Sequence, residues 1–244
     1  LLYLKDNMQV LYEKVANYQP VSELIYTDKG EPDVKFNSFN MYPEGAVTHA
    51  KKQTDRLNLN AVRLEMTLPD EGGLKLDPHA EKARANLARR FEQSGIKFAA
   101  KPIRENAYCL IVLGVGLGQH LMELIQRTQC RILILLEPNI DLLYHSLRVF
   151  DWAKITEYMG NDGTIEMYIS DNPKNMQNLV KGSFKRYNPA ALDGAIIFKH
   201  YGGSIFSEFE RGLDDLMRTA IYGLGFFTDE INMIGQSYKN LENG

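Results

Sequence analysis

The chain has 244 residues, with 28 Lys plus Arg against 31 Asp plus Glu and a formal charge of −3. That length suits one large domain, or one domain with an appendage. The mild acidity argues against nucleic acid as a partner. A balance of 44% hydrophobic and 24% charged residues argues against disorder. No apolar run approaches the ~20 residues of a membrane helix. Two cysteines, Cys109 and Cys130, cannot form a cysteine-rich zinc site. Each enters an apolar run and reads as a buried free thiol in a reducing, cytoplasmic compartment. The chain starts at Leu1 and stops at Asn243-Gly244, which points to a piece of a longer protein.

The first element expected is a helix. Leu4, Met8, Leu11, Val15 and Tyr18 share one helical face, and Pro20 ends it. Residues 26–44 carry Gly30, Pro32, Asn37, Pro43 and other turn formers, so short strands at most are expected there. Residues 57–68 alternate apolar and polar with one change of phase, as a strand with a bulge would. Asp77-Pro78 opens a helix, Ala80, Ala83, Leu87 and Phe91 face its core, and Gly95 closes it.

The character changes at Cys109. Four apolar runs, at 109–115, 131–137, 164–170 and 194–200, are separated by helical patterns. Unbroken apolar runs fit strands covered on both faces, hence a parallel sheet with helical crossovers. A long helical stretch follows from Ser204, with Ser204 as its cap, to about Leu241. Its apolar stripe is Phe206, Phe209, Leu213, Leu216, Met217 and Ala220, and Gly223 and Gly225 are placed to break it.

The sharpest local signal is Gly114-Val115-Gly116-Leu117-Gly118-Gln119-His120, between the first apolar run and a helix. Glycines there allow a tight turn and close approach of a ligand to the backbone. Glu137 ends the next run about 20 residues on, where an acid meets ribose hydroxyls in nucleotide-binding βαβ units. Asp171 follows the third run. Gly114, Gly116, Gly118, Glu137 and Asp171 are therefore the candidate cofactor-binding residues, and the cofactor itself is not specified. The pattern also resembles the first motif of S-adenosylmethionine methyltransferases. Against that alternative, Val112 stands where those enzymes carry an acid, and no closing strands follow His200.

Other groups are weighed against structural roles. His49, His79, His120, His145 and His200 show no metal-binding spacing, so no metal site is expected. His145 lies in a helix with a surface or half-buried role as the default. His200-Tyr201 stands at a strand end where acid–base work is possible, with a plain loop histidine the commoner case. Lys181, Lys185 and Arg186 read as a solvated face that could meet a phosphate. Trp152 and Phe150 are expected to cover the sheet, with the indole N–H needing an acceptor.

Gly114 to Leu121, followed by Ile134-Leu135-Leu136-Glu137-Pro138-Asn139, resembles the N-terminal domain of the motility accessory factors, the Maf-type flagellin glycosyltransferases of bacteria. Asp77 to Arg84 and Gly225 to Asn240 are similar to that domain as well, so the resemblance covers most of residues 55–244. It implies a Rossmann-like domain in a longer polypeptide. The following domain of such proteins transfers a nonulosonic acid from a CMP donor to flagellin Ser or Thr. Its glycine-proline-serine signature does not occur here, so no catalytic residue carries over.

The expected architecture is α/β. An α+β extension occupies residues 1–104, a Rossmann-like mostly parallel sheet 105–203, and a helical linker toward a catalytic domain 204–244. The expected role is accessory, with a nucleotide-type ligand or flagellin (or another acceptor protein) as partner, alongside the chain's own catalytic domain. Neither nucleic acid nor a membrane is an expected partner.

Overall fold

The computed structural model describes residues 2–58, 63–64, 82, 85–86, 89–90, 92–95, 106–187, 194–222 and 227–242. The chain divides into two compact units. The first joins Leu1–Glu65 to Arg104–Asp214, and the second joins Met66–Ile103 to Asp215–Gly244. Residues 1–65 thus share a unit with the parallel sheet.

Two short helices open the first unit, α1 (Leu2–Asn7) and α2 (Gln9–Ala16). The single expected helix is broken at Met8, whose φ of −145° and ψ of 66° lie outside the helical region, and it stops at Ala16, before Pro20. The predicted face still serves, since Leu4, Leu11 and Val15 are buried in the main core. A three-stranded antiparallel sheet follows, β1 (Glu23–Tyr26), β2 (Pro32–Phe36) and β3 (Phe39–Asn40), in the order β1-β2-β3. Helix α3 (Ala46–Arg56) then buries Ala46, Ala50 and Thr54. These fall four apart, so one narrow stripe of small residues lets the helix pack closely.

The second sheet is parallel. Its strands are β4 (Cys109–Leu113), β5 (Ile132–Glu137), β6 (Thr164–Ile169) and β7 (Ile196–Lys199), in the order β6-β5-β4-β7. Helices α4 (Leu121–Thr128), α5 (Ile140–Val149), α6 (Trp152–Met159) and α7 (Pro173–Tyr187) occupy the connections between strands. Every residue of β4 and β5 is buried, as expected for inner strands covered on both faces. The chain steps outward from β4 through β5 to β6, then returns to the other side of β4 as β7. The gap between the β4 and β7 tips is therefore the switch point of the sheet, where open α/β folds bind ligands.

Helix α8 (Ser204–Tyr222) follows β7, and α9 (Phe227–Glu242) follows α8. The long helical stretch is thus two helices, with the predicted breaks Gly223 and Gly225 outside the described residues. Phe206, Phe209 and Leu213 of its apolar stripe are buried. Most of the strand expected over 57–68 is also undescribed, but Arg63 bridges Ile196 antiparallel, and the Leu64 N–H donates to the Ala195 carbonyl at 2.7 Å. The Asp77-Pro78 opening lies outside the described residues too. Near the other end of that helix, Gly95 has a φ of +69°, the left-handed conformation expected of a terminating glycine. Both cysteines are free and buried, and the Trp152 indole donates to Ser146 Oγ at 3.2 Å. Among the described residues, no helix is long and apolar enough to cross a membrane.

The segment before β1 is fastened to α5 by a carboxylate. Fully buried Asp141 accepts from the Tyr18 hydroxyl at 2.5 Å and from the Val21 and Ser22 amides at 3.1 and 2.8 Å. Burial alone would raise its pKa, but the Tyr18, Ser22 and Val21 donors together hold it below the usual carboxylate range. Nearby His145 is buried rather than superficial, with Nε2 at 3.1 Å from Ser22 Oγ. The clasp covers the α5 face that carries His145. Asp141→Ala strands three donors, so it is expected to cost about 2–4 kcal/mol in urea unfolding; a loss below about 0.5 kcal/mol would contradict the clasp.

Candidate functional site

The parallel register brings three strand tips to one level. Leu113 pairs with Leu136 on one side and with Lys199 on the other, so Gly114, Glu137 and His200 leave the sheet together. Gly114 donates to the Leu136 carbonyl at 2.8 Å, and His200 donates to the Leu113 carbonyl at 2.9 Å. Gly114, Gly116 and Gly118 then turn the chain into α4 with φ values of +94°, +54° and +80°. This conformation aims backbone N–H groups into a small concavity that suits an anion.

The chain fills that concavity itself. Glu137 does not stand beside the turn awaiting a ribose; it lies in it. Its Oε2 accepts from the Val115 and Gly116 amides at 2.8 and 3.0 Å, and its Oε1 accepts from the Asn139 amide at 2.8 Å and from the Tyr201 hydroxyl. The carboxylate is wholly buried. The sequence offers these amides to a ligand, and the structure gives them to Glu137. Tyr201 closes the front of the turn, 2.5 Å from where a Cβ on Gly114 would stand. A Cβ on Gly116 would fall on the Tyr42 hydroxyl and lie 2.7 Å from His200 Nε2, and one on Gly118 would meet Phe150 at 2.9 Å. Glycine is therefore required by the chain's own side chains. Asp171 does not join the group. It is exposed beyond β6, with β5 between that strand and β4.

Behind the turn is a layer of rings. His200 Nδ1 lies 2.7 Å from Gln53 Oε1, and the Gln53 amide donates to the His200 carbonyl at 2.6 Å. An amide oxygen only accepts, so Nδ1 carries the proton. Nε2 then accepts from the Tyr42 hydroxyl at 2.8 Å. His120 stacks on His200 with centroids 3.9 Å apart, and His49 meets His200 edge-on at 5.6 Å. Neither ring nitrogen of His120 has a hydrogen-bond partner among the described residues. Among those residues, no three His, Cys, Asp or Glu side chains are grouped to hold a metal ion.

Burial sets the charges here. It pushes the Glu137 carboxyl up to about 7, against the lowering effect of the Tyr201 hydroxyl and the Gly116, Asn139 and Val115 amides. On protonation, Tyr201 can turn its hydroxyl from donor to acceptor. Burial holds His120 down to about 3, reinforced by His49 and partly offset by the Gly114 backbone. It holds His200 well below its ordinary value, with His120 and His49 adding to the effect. The effect of the pair is opposite on its two members: the Tyr201 hydroxyl lowers the Glu137 pKa, whereas burial and the neighbouring carboxylate keep the Tyr201 phenol protonated at all ordinary pH. His200 is thus a neutral, clasped ring, which favours the structural alternative over acid–base work.

Tyr42, Gln53 and Tyr201 complete the site, and sequence reasoning missed the first two. Neither carries a motif; only the small-residue stripe of α3 hints that this helix docks close to the turn. Of the basic cluster, Arg186 pairs with Glu166 at 2.7 Å, an internal carboxylate rather than a phosphate.

Two stability measurements follow. Gly116→Ala forces an L residue into left-handed backbone against Tyr42 and His200, and about 3 kcal/mol or more of destabilisation is expected. Gly30→Ala, with φ +75° and open space around its Cβ, is expected to cost only about 1 kcal/mol. Equal losses would mean that the turn is not packed as described. The pH response is the second. His120 and His200 have depressed folded pKa values, so the unfolded chain binds more protons below about 6.5, and stability is lost as pH falls. Glu137, raised in the folded state, acts oppositely between about 4.5 and 7. Two histidines outweigh one carboxyl, and His49 and His145, also depressed by burial, act in the same direction, leaving a net loss of roughly 1.4 kcal/mol per pH unit or more below 6.5. A urea midpoint that rises from pH 6.5 to pH 5 would contradict this balance.

The N-terminal domain of the Maf glycosyltransferases, as a family, matches residues 1–221. Among solved structures, the Maf glycosyltransferase from Magnetospirillum magneticum AMB-1 is similar, with a TM-score of 0.72 and 23% identity. The likeness covers 87% of this chain and 34% of that one, so this chain spans about a third of that relative's length. At that identity the match speaks for the fold. No curated protein matches the chain. The family match over nine-tenths of the sequence, on a sheet ordered β6-β5-β4-β7, places the chain in the Maf glycosyltransferase N-terminal domain family.

Proposed function

We propose that this chain is the accessory N-terminal domain of a bacterial flagellin-modifying glycosyltransferase, and that it performs no step of the transfer itself. In this reading, a separate catalytic domain moves a nonulosonic acid from a CMP donor to flagellin Ser or Thr. The present domain supports that enzyme in the bacterial cytoplasm, with flagellin or another acceptor and its own catalytic domain as partners.

The observation that carries the reading is the capture of the glycine-turn amides by Glu137. The switch point is where a sheet of this order places a cofactor. Here it holds an internal carboxylate, a tyrosine and neutral, hydrogen-bonded His200. Such groups brace the turn: Glu137 fixes its amides, Tyr201 covers it, and Gln53 fixes the tautomer of His200. A nucleotide phosphate at these amides would first have to expel a buried, four-fold hydrogen-bonded carboxylate.

The test uses the polypeptide that carries this domain together with the catalytic one. Tyr201→Phe is expected to leave kcat for transfer to flagellin within about threefold, since no group here touches the reacting atoms. The isolated chain, given flagellin and CMP-nonulosonic acid, is expected to add no mass to flagellin in mass spectrometry. Sugar transfer by the isolated chain, or a hundredfold fall in kcat for a folded Tyr201→Phe enzyme, would overturn the reading.

A further inference from the structure

With the glycine turn filled, the open space in the first unit lies elsewhere. A cavity of ≈ 1180 Å³ runs between α3, β7 and the start of α8. That is ample for a small metabolite, whose pockets typically hold about 300–1,000 Å³. We propose that this cavity is a binding site for a small phosphate-bearing molecule.

The lining has two parts. Leu57, Leu64, Ile197 and Phe198 supply an apolar wall on which a ring or aliphatic portion can lie. Among the described residues, the lining carries four cations, Lys52, Arg56, Arg63 and Lys199, and two acids, Glu44 and Glu210, with the Arg63 guanidinium donating to the Gly194 and Asn106 carbonyls at 2.8 and 3.1 Å. The lining thus gathers positive charge on a chain whose overall charge is −3. Two of these cations are held by the acids. Lys52 pairs with Glu44, and Lys199 with Glu210 at 2.7 Å. Both pairs are partly exposed, with side chains 52% and 61% accessible in the first and 40% and 35% in the second, so either lysine is exchanged to a ligand at small cost. Arg56, the last residue of α3, is exposed and has no ion pair or hydrogen bond among the described residues. A guanidinium matches the paired oxygens of a phosphate.

The cavity also touches the ring layer. His49 and Gln53 line it, and Gln53 clasps His200 through two hydrogen bonds. Burial keeps His49 below its ordinary pKa, so it faces a ligand as a neutral ring able to donate or accept. The site is therefore distinct from the glycine turn but shares a wall with it. A ligand drawn in by the cations rests against His49 and Gln53.

Inorganic pyrophosphate is the probe, because it presents phosphate charge without selecting a ring. Calorimetry on the whole chain is expected to show saturable binding that weakens as salt rises. Arg56→Ala is expected to weaken it tenfold or more, with Arg56→Lys recovering part of the loss. Lys154→Ala, at a surface pair with Asp151 on α6, is expected to leave it unchanged. The histidine Cε1–H signals provide a second readout, in which His49 moves on titration and His145 does not. Absence of saturable binding at millimolar pyrophosphate would overturn the site. So would equal loss in Arg56→Ala and Lys154→Ala, which would mark diffuse attraction to surface charge.

Discussion

Two backbone N–H groups of the turn after β4 end on one oxygen of Glu137, and the other oxygen takes the Asn139 amide and the Tyr201 hydroxyl. This single carboxylate joins three loops, those leaving β4, β5 and β7. An amide buried without a partner is costly, and a carboxylate buried without donors is costlier. Each therefore holds the other in place. The requirement for glycine follows directly. The turn must bend into left-handed backbone to aim its amides at Glu137, and the space above it is taken by Tyr42, Tyr201 and His200.

The same burial shapes the layer behind. His120 and His200 stack within hydrogen-bonding and apolar neighbours that exclude water, so both stay neutral, and Gln53 fixes which nitrogen of His200 carries the proton. A layer of this kind transmits position rather than charge. It connects the turn to α3, whose Gln53 and His49 also border the open cavity. The fold has thus kept the sheet order of a nucleotide-binding domain while closing the place such domains use. The cavity that is open lies between α3, β7 and α8, against His49 and Gln53.

Much of this organisation is legible in the amino-acid sequence. The unbroken apolar runs of β4 and β5 announce inner parallel strands because both faces are covered. Glu137 is recognisable as an acid at a strand tip near a glycine turn. Its direction is not recognisable, because an acid reaching outward to a ribose and one reaching inward to the turn have the same spacing. That choice is made by the turn amides themselves and by Tyr201, whose hydroxyl approaches from 64 positions away from Glu137. Helix α3 escaped notice because its buried face is made of Ala46, Ala50 and Thr54, which carry little hydrophobic signal. The break at Met8 escaped because both halves keep the same apolar face. The full burial of His145, beyond the surface or half-buried role its sequence suggests, is not legible because the clasp that buries it, Asp141 on Tyr18 and Ser22, joins segments 119 to 123 residues apart.

The account turns on whether Glu137 occupies the glycine turn in the free chain. Carbon-detected NMR of its side-chain carboxyl through a pH titration is the direct measurement. The account predicts a titration near 7 in which the Val115 and Gly116 amide signals move with the carboxyl. A carboxyl that titrates near 4.5, as in an open peptide, with those two amides unmoved would contradict it.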